Sequence, residues 1–128
     1  MSQKKRYHIH ISLVRNENVN LENALEYALS TDYFLTWDLL ATHTNFVEYS
    51  RQQIDQCDYM IFILGNDYGH LSLSGVSYLH LSYIYASSKR VPMIALVNTQ
   101  PSQHELLRQR LDLFNLVIKE QGSRAIYF

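Results

Sequence analysis

His80, Asp67 and Ser77 are the side chains of this sequence whose types and positions can do chemistry. His80 falls in a segment of helical character, where an imidazole can act as a base or bond a ligand. A lone histidine on a mostly apolar helix is more commonly satisfied by a backbone group. Asp67 lies in Gly65-Asn66-Asp67-Tyr68-Gly69, directly after an apolar run. A carboxylate there can hold a ribose hydroxyl or a metal, and Asn-Asp ahead of Tyr-Gly is also ordinary turn chemistry. Ser77 stands at a helix start, so its hydroxyl either caps the helix or donates to a phosphate drawn to unpaired N–H groups. Arg15 and Asn16 follow the first strand-like run and can meet a phosphate or a base. With Asn66 and Tyr68 from the Asp67 loop, the expected ligand set is Arg15, Asn16, Asn66, Asp67, Tyr68, Ser77 and His80. His80 and Asp67 are the catalytic candidates within it.

Other chemistries find no residues to carry them. There is no Walker loop, Rossmann glycine fingerprint or nucleophile elbow, and the histidines lack metal-ligand spacing, so no metal is expected. A phosphoacceptor receiver needs acidic residues after the first strand, where this chain has Val14-Arg15-Asn16. Cys57, without a second cysteine or a base partner, reads as a small packing residue. Tyr59, Tyr68, Tyr78, Tyr83 and Tyr85 form either a stacking surface or, as helical spacing favours, core with the hydroxyl at the rim.

The elements that must position these groups alternate strictly. Tyr7–Val14 reads as a strand, followed by a helix capped by Asn20 with Leu21, Ala24, Leu25, Ala28 and Leu29 at helical spacing. Phe34–Ala41 is a second strand, and Asn45 with Glu48 predicts a capping box for a helix to about Gln56. Tyr59–Leu64 is a continuous apolar run of buried-strand type, Val76–Ser88 a third helix and Met93–Val97 a fourth strand. Ser102 with Glu105 predicts a cap for a fourth helix with Leu107, Leu111, Phe114 and Ile118 on one stripe. Gly122 ends that helix, and Ala125–Phe128 closes as a strand. Alternation with short connections implies right-handed crossovers and a five-stranded parallel sheet between helices, an α/β flavodoxin-like three-layer sandwich of strand order 2-1-3-4-5. Its ligand crevice then lies between Arg15–Val19 and Asn66–Gly75, at the carboxyl ends of the first and third strands.

With 128 residues the chain reads as one cooperative unit, without repeats or linkers. A net charge of −1 gives no footprint for nucleic acid, and the short Lys4-Lys5-Arg6 cluster reads as a solvated tail. One cysteine, no apolar leader and no membrane-length run point to a cytoplasmic protein away from membranes.

Ile54-Asp55-Gln56-Cys57-Asp58-Tyr59, the Gly65–Gly69 loop, Gly75-Val76-Ser77-Tyr78, and Tyr85-Ala86 before Lys89-Arg90-Val91-Pro92 resemble a bacterial TIR-like domain of unknown function. That domain often sits at the N-terminus of larger NTPase or defence-type proteins. More distantly, the same stretch resembles nucleoside 2-deoxyribosyltransferases. Both resemblances imply a carboxylate on the third helix, at the position of His80, and the TIR-like one a second acid at Ser82. Chemistry at a ribosyl carbon needs that carboxylate to stabilise or attack the developing positive charge, which an imidazole does poorly. The resemblance therefore implies a non-catalytic sensing or adaptor module that requires no cofactor. It would bind a nucleotide or NAD-type ligand or a protein partner, and pair as a homodimer. The alternative is an enzyme acting on the N-glycosidic bond of NAD or a nucleoside.

Overall fold

A computed structural model describes residues 6–100 and 107–128. Its elements in chain order are β1 (His8–Ser12), α1 (Val19–Leu29), β2 (Phe34–Trp37), α2 (Phe46–Gln56), β3 (Tyr59–Leu64), α3 (Tyr78–Ser88), β4 (Met93–Val97), α4 (Leu107–Gln121), a 3-10 turn (Gly122–Arg124) and β5 (Ala125–Tyr127). All five strands are parallel, in the order β2-β1-β3-β4-β5. The flavodoxin-like expectation therefore holds.

Register and the two-residue period divide the sheet into two faces. Met60, Phe62 and Leu64 of β3 with Met93, Ala95 and Val97 of β4 pack against Ile54 of α2, Leu79 and Tyr83 of α3, and Leu113 and Val117 of α4. Ile9, Ile11, Leu13 and Ile63 face the other way, under Leu21 and Leu25 of α1. Apolar burial of this kind supplies most of the folding free energy, on the order of 25 cal/mol per Å².

The boundaries differ from the sequence expectation where polar side chains decide them. Asn18, not Asn20, caps α1, its side chain accepting from the Leu21 N–H. The Asn45–Glu48 capping box does not form, because the Asn45 side chain makes no cap bond and its N–H donates to His43 Nδ1. β2 ends at Trp37, four residues early, as Asp38 turns its carboxylate inward. On α4 the buried positions are Arg110, Leu113 and Val117, while Leu107 and Leu111 are exposed. Arg110 lies on the core side to reach two strand-end carbonyls, which conceals that face from a hydrophobic pattern. The Ser102–Glu105 cap and the Lys4-Lys5 pair lie outside the described residues. No helix among the described residues is long and apolar enough to cross a membrane.

Candidate functional site

At the carboxyl ends of the strands, the loops after β1, β2 and β3 enclose a cleft of about 200 Å³, lined by Leu13, Arg15, Thr42, Phe46, His70 and Tyr78 among others. Arg15 is the one expected ligand residue that lines it, and its guanidinium is engaged. Nε donates to Glu22 Oε1 at 2.9 Å, a terminal nitrogen donates to the Asp38 carbonyl at 2.9 Å, and the group lies 5.5 Å over the Trp37 ring. Asn16 holds a left-handed backbone, φ 67°, and gives its N–H to Glu22. That loop is therefore braced before any ligand arrives.

The other half of the expected crevice is closed by Glu17, whose carboxylate accepts the N–H groups of Asn66 and Asp67. A Cβ on Gly65 would meet the Glu17 carboxylate and make it shift, so a larger residue there would loosen these two bonds. Burial raises the Glu17 pKa, against the lowering effect of the two N–H donors. Asn66 turns its side-chain amide to the Gln100 carbonyl, 2.5 Å away.

Tyr68, Ser77 and His80 form a separate cluster. Ser77 is the α3 N-cap, its Oγ accepting from the His80 N–H at 3.1 Å. The Ser77 N–H donates to the Tyr68 hydroxyl at 3.2 Å, and that hydroxyl lies 2.6 Å from His80 Nδ1. The Tyr68 hydroxyl thus bridges the Ser77 N–H and His80 Nδ1. Desolvation lowers the His80 pKa, partly offset by Asp112 of α4. The ring packs edge-on against Tyr68 and does not line the cleft. Ser82 is buried, 2.9 Å from Ser50 across the α2–α3 contact.

Of the tyrosines, Tyr83 is fully buried with its hydroxyl donating to Glu120, Tyr85 donates to Asp55, and Tyr78 lines the cleft. Cys57 donates its thiol proton to the Ile54 carbonyl, and burial pushes its pKa up to about 11, which makes it unreactive. No group of three or more His, Cys, Asp or Glu that could hold a metal occurs among the described residues.

The sequence reading missed Glu17, Arg110 and a chain of polar groups under α2. His8 Nε2 lies 2.7 Å from Thr36 Oγ1, and Thr36 Oγ1 lies 2.8 Å from His10 Nδ1. His10 Nε2 lies 2.8 Å from Asp38 Oδ1, and Ser12 Oγ donates to Asp38 Oδ2 at 2.6 Å. The chain runs unbroken from His8 through Thr36 and His10 to the Asp38 carboxylate. The serine points at the aspartate and not at an imidazole, so this is no nucleophile triad. Its signal was legible as His8-x-His10-x-Ser12, a period of two that puts three polar groups on one strand face.

A family model matches residues 14–126, nearly the whole of this architecture. The chain belongs to the DUF4062 family. DUF4062 is described as a domain of unknown function, and the match spans both halves of the expected crevice, from Val14 to Ile126. No curated protein matches the chain.

A pH dependence follows from buried His8 and partly buried His80 of this DUF4062 chain. Burial lowers the pKa of His8, with the neighbouring His10 adding to it, and burial lowers that of His80. Their unfolded values are near 6.5. The unfolded chain therefore binds more protons below that pH, so this stability is present above about pH 6.5 and is lost as pH falls through the folded values. Melting temperature measured from pH 8 to 5 should drop below about pH 6.5, less steeply in His80→Gln. Equal slopes for the two proteins would refute the His80 contribution.

Proposed function

We propose that this chain is a TIR-like sensing or adaptor module of the cytoplasm that binds without cleaving its ligand and works by self-association. The observation that carries this reading is His80. Where ribosyl chemistry needs a carboxylate on α3, the chain has an imidazole whose Nδ1 is taken by Tyr68 and which lies outside the cleft lining. The Ser82 position, buried against Ser50, offers no second acid. Asp67 gives its N–H to Glu17, in a loop that Glu17 already fills.

The size of the cleft bears on what binds. About 200 Å³ is below the ~300–1,000 Å³ of sites that enclose a drug-sized ligand. A nucleotide would enter by its base or ribose alone, and a protein partner by one side chain. Arg15 at the rim suits an anionic group on either.

Incubation of the purified protein with NAD or nucleosides, followed by chromatography of the products, is expected to show no turnover above buffer. Cleavage that disappears in His80→Ala would overturn the non-catalytic reading. Calorimetric titration with NAD and AMP separates the two binding classes: saturable heat supports a nucleotide-type ligand, and none supports a protein partner. His80→Glu is the constructive variant, and its turnover would show that the groups around the cleft are still arranged for ribosyl chemistry.

A further inference from the structure

We infer that two copies of the chain pair through the sheet face that carries α1, each placing α1 over the half of that face which the other leaves bare. The inference rests on the self-association in the proposed function and names the surface that performs it. A parallel sheet is normally covered on both faces. Among the described residues α2, α3 and α4 cover one face across β3 and β4, and α1 covers the β2-β1-β3 side of the other.

The bare part is apolar and continuous. The register pairs Ile61 with Ile94 and Leu96 with Ile126, so these residues stand side by side on the α1 face of β3, β4 and β5. Tyr7 packs edge-on against Tyr59 at the near end of this strip. A cavity of about 550 Å³ opens there between Leu29, Tyr33, Tyr59, Ile61, Ile94 and Arg124. Tyr7, Tyr59, Ile94, Ile126 and Phe128 are each between 42 and 54% exposed.

The occupant is argued from α1 itself. An exposed helix face ordinarily carries charge, yet the stripe of α1 formed by Ala24 and Ala28 beside the 90% exposed Tyr27 is uncharged, the exposed Glu26 lying on the opposite flank. A ridge with a small, uncharged flank beside a bare apolar shelf on the same face is self-complementary under a two-fold axis. The half-exposed sheet residues offer on the order of 500 Å² of apolar surface, already in the range of a functional patch. The α1 flank brings this toward the roughly 800 Å² per partner of a standard interface. A net charge of −1 puts little repulsion between copies.

Light scattering coupled to gel filtration, with the full chain at rising concentration, tests this. The expected mass is twice that of the chain, falling to the chain mass in Ile94→Lys and in Tyr27→Glu with the circular dichroism spectrum unchanged. Tyr27 is so exposed that its replacement has no core to disturb, which keeps the test valid should Ile94→Lys misfold. A chain that stays monomeric at every concentration overturns both the surface and the self-association. A dimer that persists in both variants overturns the surface alone.

Discussion

Asp38→Ala is expected to destabilise the protein by about 3–5 kcal/mol, the cost of removing one member of a buried charged or hydrogen-bonded pair. Asp38 is 0% exposed and accepts from both Ser12 Oγ and His10 Nε2. Alanine would leave that hydroxyl and that ring N–H in the interior without an acceptor, and each unmade bond costs the desolvation of its donor. The damage would spread, because Thr36 is shared between His10 and His8 and loses its fixed partner when His10 turns. Total stability of a protein of this size is about 5–15 kcal/mol, so the variant should unfold at markedly lower urea. Asp38→Asn keeps an acceptor oxygen for one donor and turns an NH₂ group on the other, so it should fall between. Urea unfolding monitored by circular dichroism measures both, and an Asp38→Ala midpoint equal to the parent's would show that the network contributes nothing.

This network also explains what could and could not be read in advance. Tyr59–Leu64 and Met93–Val97 are continuous apolar runs, as expected of strands inside a parallel sheet, and their ends match the structure. β2 is an edge strand, and the apolar Leu39-Leu40-Ala41 that made it look longer lines the cleft. Periodicity reports burial, and cleft walls and strands bury the same residue types. His80 was legible as a missing carboxylate, but its direction was not. One helical step of about 100° separates a residue that lines the cleft from one that does not, and the bond to Tyr68 holds His80 outside it. Glu17 and Arg110 were hidden for a different reason. Each acts on backbone groups of a distant loop, and a sequence pattern holds no record of where a carbonyl or an N–H will point.

Arg110→Leu should be the second most damaging substitution, by roughly 2–4 kcal/mol, for what its fork holds together. Arg110 is 3% exposed. Its Nε and one terminal nitrogen donate to the Gly65 carbonyl at 3.0 and 2.8 Å, and the same terminal nitrogen donates to the Asn98 carbonyl at 2.6 Å. Gly65 and Asn98 are the residues that follow β3 and β4, so one side chain of α4 ties together the ends of two adjacent strands. It also sets the charge around Glu17: burial lowers the Arg110 pKa while Glu17 and Asp67 raise it, and Arg110 in turn favours the Glu17 carboxylate. Leucine fills much of the volume but leaves two carbonyls without donors and Glu17 without a nearby cation. Lysine restores the charge but cannot fork to both carbonyls, so Arg110→Lys should recover only part of the loss. Since Glu17 holds the Asn66 and Asp67 N–H groups, the effect should also reach the loop after β3, which unfolding alone would not reveal. Amide exchange at Asn66 and Asp67 should quicken in Arg110→Leu by more than the change in global stability accounts for. Unaltered protection at those two amides would mean that Glu17 keeps its place without the guanidinium, and that the loops on either side of the crevice are held independently of α4.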